Sequence, residues 1–473
     1  MDATHWKRYG EIAAHINLLL YEGSHRLRSR SILPTAFRCP QGRGQQRSYE
    51  ATFYKMTTFL TTEHPSQKQN AHLTFKHNLK HGRHGWLRLT PAYSVKLVSD
   101  ILDGKTLAAK VIDPFSGTGT TPLCAAYLGL KSTGLEINPF LVWFSSVKAR
   151  MFHPAVIQTA QEMGSSITEA SSSSKSPKLD PPPIHNISRW WNKEELEYLC
   201  KLKACICTAT ENMTEERDLL LVAFCRTVIA LSNAAFNHQS MSFKSNNNSP
   251  QLFDSQRDHP TVFQKELAFV LDCAADNPNT TPCIITGDAR QASRYVRDKY
   301  DILITSPPYP NRISYIREMR PYMYWLGYLT NGRDAGELDW QAIGGTWGIA
   351  TSRLTDWKPS KNAFVPNALK KAISGISRRE NANGVLLANY VSKYFDDIWH
   401  HIIDVPKVLN DCAEVHYIVG NSSFYGILLP VEEIYRDMLE HAGFKNVQIL
   451  RIRKRNSKAE LFEFDVSGKK SAK

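Results

Sequence analysis

The feature that most narrows the possible folds is a short apolar run that ends on two prolines. Residues 300–305 read Tyr-Asp-Ile-Leu-Ile-Thr, and Ser306-Pro307-Pro308-Tyr309 follow at once. A near-continuous apolar run of this length suits an interior strand of a parallel sheet, covered on both faces. Proline offers no amide proton to a ladder and fixes its own φ, so a pair of them stops the strand. In open α/β sheets, ligands sit outside the carboxyl ends of the strands. A hydroxyl, a rigid diproline and an aromatic at such an edge suit the grip of a flat ring bearing an amine. The Ser306 hydroxyl accepts from the exocyclic amine, the Pro307 carbonyl accepts beside it, and Tyr309 covers the face of the ring.

A second strand edge lies upstream. In Leu-Ala-Ala-Lys-Val-Ile-Asp-Pro-Phe-Ser-Gly-Thr-Gly-Thr-Thr, residues 107–121, an apolar strand closes on Asp113. A loop with Gly117 and Gly119 leads into a helical stretch from Thr121. Glycines between strand and helix let a ligand approach the backbone closely. The loop lacks the Gly-Lys-Ser/Thr of a P-loop and has no clean Gly-x-Gly-x-x-Gly, which argues against a phosphate cradle. The next apolar run carries Glu136, 23 residues after Asp113. An acidic residue at about that distance is where a dinucleotide-type fold holds ribose hydroxyls. Asp113, closing the first strand, is suited to the amino group of an amino-acid-like ligand. Ribose and amino acid together point to S-adenosylmethionine.

With both edges in view, the chain resembles the DNA amino-methyltransferases, which methylate cytosine at N4 or adenine at N6. Asp113 to Thr121 resembles that family's cofactor loop, and Gly134 to Pro139, Gly-Leu-Glu-Ile-Asn-Pro, its ribose-binding segment. Thr305 to Tyr309 resembles its catalytic segment in the form with serine first. Gly287 to Arg290 resembles the segment that meets the adenine ring, and Trp86 to Ser94 the one that closes over the methionine end. The cofactor loop here precedes the catalytic segment by roughly 185 residues, whereas many relatives with serine first have the reverse order. The resemblance implies a Rossmann-like S-adenosylmethionine-dependent methyltransferase sheet of seven strands, the last antiparallel, with helical and loop insertions. It implies cofactor contacts from Asp113, Pro114, Phe115, Gly117, Gly119, Thr120, Glu136, Asn138, Asp288, Thr90 and Ser94. Catalysis falls to Ser306, Pro307, Pro308 and Tyr309, with no metal.

The expected reaction is site-specific methylation of duplex DNA on a flipped-out base. Cytosine N4 is preferred because the serine-first form is commoner among cytosine enzymes, and adenine N6 is the alternative. A methyltransferase of RNA or of a protein glutamine amide is a more distant reading, and a DNA-binding protein with a dead site a third. The resemblance also implies a cytoplasmic, nucleoid-associated enzyme of a prokaryote or phage, in restriction–modification or phage defence, with a restriction or defence nuclease as a possible partner.

Composition agrees with a polyanionic partner. Among 473 residues, Lys and Arg number 58 against 45 Asp and Glu, a surplus of 13. The nine cysteines form no Cys-x-x-Cys, and Cys205 and Cys207 stand too close for a standard metal pair. No run of about 18 apolar residues exists to span a membrane. Cys39-Pro40-Gln41 resembles the nucleophile segment of cytosine-C5 methyltransferases, but it stands ahead of the cofactor loop with no strand before it and reads as incidental.

The organisation follows from changes of pattern. Residues 1–80 read as a basic N-terminal extension and 81–473 as the methyltransferase domain. The apolar spacing of Val95, Leu97, Val98, Ile101 and Leu102 predicts a helix. A helical insertion is expected over about 150–280. Its serine- and proline-rich stretch from Ser171 to Pro183 is read as a surface linker, and residues 192–241 as two long amphipathic helices. Asn237, His238, Gln239, Ser240 and Lys244 in that insertion suit phosphate and base contacts. Residues 311–329 interleave Arg312, Arg317 and Arg320 with Tyr315, Tyr322, Tyr324 and Trp325. The arginines suit backbone phosphates and the aromatics a displaced base, with Trp325 and Leu326 assigned to the core. Residues 330–385 have poor periodicity and are taken as a target-recognition insertion. A helix (390–409), a strand (414–420), a helix (431–442) and a terminal hairpin (447–453 with 460–466) complete the sheet.

Overall fold

The computed structural model describes residues 71–88, 93–235, 242–243, 258–346, 352–378, 383–455 and 460–472. Thr90, Cys39, most of the basic extension, and the polar group Asn237, His238, Gln239, Ser240 and Lys244 lie outside the described residues.

The centre is a mixed seven-stranded sheet. Its strands are β1 (Lys110–Asp113), β2 (Lys131–Glu136), β3 (Cys283–Thr286), β4 (Tyr300–Thr305), β5 (Leu409–Gly420), β6 (Phe444–Lys454) and β7 (Phe462–Lys470). They lie in the order β6-β7-β5-β4-β1-β2-β3. All neighbours from β5 to β3 run parallel, and β7 runs antiparallel to both β5 and β6. This is the Rossmann-like S-adenosylmethionine-dependent methyltransferase fold. The order reverses between β1 and β4, so the loops after these two strands open into one crevice, as expected at a topological switch point. Val111 pairs with Ile302 across that junction, and both are buried.

Helix α1 (Val95–Leu102) starts where its apolar pattern does, because Ser94 caps it, its hydroxyl accepting from the Lys96 amide at 3.2 Å. Helices α2 (Thr120–Tyr127) and α3 (Pro139–Ala149) follow β1 and β2. Between α3 and β3 stand four helices: α4 (Pro154–Ser172), then α5 (Lys193–Ala209) and α6 (Thr214–Ala230), the two expected over 192–241, and α7 (His259–Ala274). The serine run expected as linker begins inside α4. Its side chains satisfy themselves on the preceding turn, Ser171 and Ser172 donating to the Thr168 carbonyl at 3.0 and 2.9 Å. These helices share one apolar core with α3 and with α8 (Tyr315–Trp325).

The opposite face carries α10 (Asn367–Ser377), α11 (Asn383–Asp404) and α12 (Val431–His441), while α9 (Gly332–Gln341) packs on α8. The segment 330–385, expected to be aperiodic, thus holds two helices. Leu338 joins the first core, while Ile343, Leu354, Leu369, Ala372 and Ile376 are buried in the second, under α11 and the sheet. Glycine and tryptophan hid this periodicity, and burial against α11 overrides their weak helix preference. A small hairpin, β8 (Ser422–Phe424) and β9 (Ile427–Leu429), leaves β5 just past Gly420. (These two strands stand apart from the central sheet.) No helix among the described residues is long and apolar enough to cross a membrane.

Candidate functional site

The loop after β1 turns through Gly117 (φ 52°) and Gly119 (φ 71°), both left-handed, a region that side chains other than glycine disfavour. Asp113 fixes the loop from beneath. Its Oδ1 accepts from the Phe115 amide (3.0 Å) and the Thr305 hydroxyl (2.5 Å), and its Oδ2 from the Tyr93 hydroxyl (3.1 Å). Burial raises its carboxyl to about 6, against the pull of these donors. Asp113 was expected to meet an amino group. In the structure it is fully buried, and Tyr93, missed in the sequence, stands between it and the cavity.

The cavity lies across the crevice. Its walls come from Pro114, Phe115, Ser116, Gly117, Thr118 and Thr120 after β1, and from Glu136, Ile137 and Asn138 after β2. Gly287, Asp288 and Ala289 follow β3, and Ser306 and Pro308 follow β4. Tyr93, Leu141, Tyr315, Ile316, Met319, Gln341, Ala342 and Ile343 complete it. Seven of the eleven expected cofactor residues therefore line one cavity: Pro114, Phe115, Gly117, Thr120, Glu136, Asn138 and Asp288. Gly119 shapes the turn without lining the cavity, and Ser94 is a buried helix cap whose hydroxyl donates to the His72 carbonyl at 2.7 Å.

Glu136 accepts the Gly117 amide on Oε2 and the Asn138 amide on Oε1, each at 2.8 Å. Burial pushes its carboxyl up to about 7, opposed by those amides. A carboxylate oxygen accepts more than one donor, so both keep capacity toward the cavity. Asn138 is pinned as the cap of α3, its Oδ1 on the Phe140 amide at 3.0 Å. Asp288 is held by the Arg290 guanidinium at 2.8–3.0 Å, which also reaches Asp397 and the Gln341 carbonyl. These residues fit S-adenosylmethionine: Glu136 to accept from ribose hydroxyls, Asp288 to accept from a ring amine, and Phe115, Ile137, Leu141 and Ile343 to cover an apolar ring.

At the end of β4, the Ser306 hydroxyl donates to the Ile418 carbonyl at 3.1 Å. Its proton is thereby occupied, and with the Tyr309 side chain also in hydrogen-bonding contact an oxygen lone pair remains for an incoming donor. The Pro308 carbonyl accepts from the Tyr394 hydroxyl at 2.8 Å, and among the described residues the Pro307 carbonyl makes no hydrogen bond. Tyr309 does not line the cavity. Its ring packs on Gly420 and against Arg455, whose guanidinium carbon is 5.3 Å from the ring centroid.

One face of α11 supports the segments after β3 and β4, a feature the sequence reading missed. The Tyr390 hydroxyl accepts the Arg312 amide (3.2 Å), Tyr394 holds Pro308, and Asp397 holds Arg290. His401 joins the Ala289 carbonyl (2.8 Å) to the Tyr417 hydroxyl (2.9 Å), and burial lowers its pKa to about 4. The spacing 390, 394, 397, 401 is that of one helical stripe. The signal was present but reads equally as core.

The arginines differ. Arg312 and Arg317 are exposed, and Arg312 has φ 60°. Arg320 is half-buried, with its guanidinium 5.0 Å from the Trp190 ring. Tyr322, Tyr324 and Trp325 are buried in the helical core, so they do not receive a base. Trp325 meets Trp191 and Phe224 edge to face.

No family model matches the chain. Three curated relatives align with it at 22% identity. Type II methyltransferase M.BsoBI of Geobacillus stearothermophilus aligns over 445 residues, 83% of this chain and 85% of its own. Type II methyltransferase M.AvaI of Nostoc sp. aligns over 414 residues, 80% and 82%. Type II methyltransferase M.MvaI of Kocuria varians aligns over 360 residues, 70% and 74%. The solved rRNA methyltransferase aviRa of Streptomyces viridochromogenes overlaps 83% of this chain and 96% of its own, at 8% identity and a TM-score of 0.26, too loose to argue from. The alignments support a place among S-adenosylmethionine-dependent DNA methyltransferases in general and leave the target base open.

Proposed function

We propose that this protein transfers a methyl group from S-adenosylmethionine to an exocyclic amine of a base in duplex DNA, with cytosine N4 the preferred target. One observation carries the reading. Ser306, its proton already given to the Ile418 carbonyl, lines the same cavity as Glu136 and the glycine loop. An acceptor for an amine and a pocket for a nucleoside-bearing methyl donor therefore adjoin.

Bound S-adenosylmethionine would supply an electrophilic methyl. The protein's part is to make a poor nucleophile attack. The lone pair of an exocyclic amine is delocalised into its ring. Ser306 Oγ and the Pro307 carbonyl, accepting one amine hydrogen each, draw the nitrogen toward tetrahedral geometry and free that pair. Ile418 holds Ser306, and Tyr394 holds the Pro308 carbonyl beside Pro307, so the acceleration is positioning within a fixed electrostatic frame. The target must leave the duplex, at a few kcal/mol. Stacking on Tyr309, worth about 1–3 kcal/mol, recovers part of that. Arg312 and Arg317, exposed beyond the catalytic segment, suit phosphate contacts.

The serine-first segment favours cytosine N4 over adenine N6. The type II names of the relatives support a restriction–modification role in a prokaryotic cytoplasm, beside a cognate nuclease. Segment 330–385 is the candidate for sequence recognition. Nucleoside analysis by mass spectrometry of DNA incubated with protein and cofactor tests the reading, N4-methylcytosine being the expected product.

A further inference from the structure

Tyr309 stands beside the cavity without lining it, and its surroundings are unusually specific. Its ring edge lies against the backbone of Gly420, at the carboxyl end of β5. A Cβ on Gly420 would stand 2.8 Å from Tyr309 Cε2 and 3.0 Å from Cδ2. The same Cβ would stand 3.0 Å from the guanidinium of Arg455. Arg455, just past β6, places that group 5.3 Å from the ring centroid and donates to the Asn421 carbonyl at 2.9 Å. Its own amide donates to the Leu461 carbonyl at 2.8 Å, across the neck of the terminal hairpin. The Tyr309 amide, in turn, is 3.3 Å from the Tyr315 hydroxyl that lines the cavity.

We propose that Arg455 and Gly420 are positioning residues that hold the Tyr309 ring as a preformed stacking surface for the target base. The inference rests on the base-methylation reading. A guanidinium over an aromatic face is attracted by the ring quadrupole, and the planar group stacks as well. Gly420 lets ring and guanidinium close on each other where any side chain would part them. Tyr309 has two rotatable side-chain bonds. With one face covered by Arg455 and one edge seated on Gly420, the ring is ordered before the base arrives, and the ordering cost is removed from the bound state. Nothing in the linear order signals this pairing, since Arg455 lies 146 residues beyond Tyr309 in a basic hairpin turn.

The test is steady-state kinetics on duplex DNA with the full chain, alongside calorimetry with S-adenosylmethionine and a fluorescent cytosine analogue at the target position. Arg455→Ala should lower kcat by about threefold to thirtyfold, the span of a cation–π contact at tenfold per 1.4 kcal/mol. The analogue should brighten on binding more than with wild type, because the flipped base is no longer quenched by stacking. Cofactor affinity and melting temperature should stay as in wild type. Arg455→Lys should recover part of the rate, and Arg455→Met none. Gly420→Ala should reproduce the Arg455→Ala phenotype, and the double variant should be no worse than either single one, because both act through one ring. Unchanged kcat and fluorescence in Arg455→Ala, with a wild type that methylates DNA, would overturn the inference and spare the function. A faster Arg455→Ala enzyme would also overturn it, by showing that the arginine occupies the base's place. Loss of cofactor affinity and stability together would reduce Arg455 to a hairpin brace. Wild type that methylates no DNA would sink the function itself.

Discussion

The two halves of the cavity are built differently. The ribose side of the cofactor half comes from one short stretch, β1, the glycine loop, β2 and the cap of α3, all within residues 110–138, and Asp288 joins it from beyond β3. Its hydrogen bonds are mostly local, Glu136 to Gly117 and Asn138 and Asp113 to Phe115, although Asp113 also accepts from Tyr93 and Thr305. The target half is gathered from across the chain. Ser306 depends on Ile418, Pro308 on Tyr394, and Tyr309 on Gly420 and Arg455. A ligand shared by many sequences can be held by a self-contained loop. A target that must be flipped, oriented and distinguished needs supports from several elements.

The sharpest break in that comparison is segment 330–385. A recognition insertion hung outside the catalytic unit could be replaced by a short linker without harm to cofactor binding. Here Gln341, Ala342 and Ile343 line the cavity, and the Gln341 carbonyl accepts from Arg290. Excision of 330–385 should therefore abolish cofactor binding as well as methylation in calorimetry and activity assays. Retained cofactor affinity would restore the view of a separable module.

A smaller effect distinguishes the halves residue by residue. Ser306→Ala should reduce kcat by about ten- to a hundredfold, as loss of a hydrogen bond to a group gaining charge, with cofactor affinity unchanged. Glu136→Ala should do the reverse, weakening cofactor binding by roughly 1.5–3 kcal/mol. Tyr394→Phe, which frees the Pro308 carbonyl, should lower kcat by about three- to tenfold at constant cofactor affinity, the size of one neutral hydrogen bond.

Proton linkage sharpens the same contrast. Folding raises the Glu136 carboxyl to about 7 from an ordinary 4.5. Its contribution to stability is present below 4.5 and is lost as pH rises through about 7. Cofactor binding runs the other way, since ribose hydroxyls donate best to the ionised form. Affinity measured by calorimetry should rise between pH 6 and 8, and Glu136→Gln should flatten that rise.

The smallest effect concerns the arginines. Arg317→Ala should reduce the slope of log affinity against log salt by about one unit on duplex DNA. Arg320→Ala should leave the slope alone and cost about 0.5–2 kcal/mol of stability, because its charge is spent over Trp190.

What was legible in the sequence follows this division. The glycine loop, Glu136 and the diproline are backbone punctuation, and local punctuation survives in a linear reading. The sheet was legible too, including its antiparallel last strand, because each strand is a short apolar run between turn signals. The stripe Tyr390, Tyr394, Asp397 and His401 was not, since polar tips on an apolar helix face look like core until the partner appears. Nor were the buried Asp113 and Ser94, whose residue types are the same for a ligand contact and for an Asx or helix cap. Arg320 and Tyr322 failed for the same reason: an alternation of basic and aromatic residues does not say which side of the helix faces water.

The most direct measurement is the product. Duplex DNA from a methylation-free bacterium, incubated with the protein and S-adenosylmethionine, is digested to nucleosides and resolved by mass spectrometry. The account predicts N4-methylcytosine, lost in Ser306→Ala. N6-methyladenine would keep the mechanism and overturn the base. 5-Methylcytosine, or no methylated nucleoside at all, would contradict it.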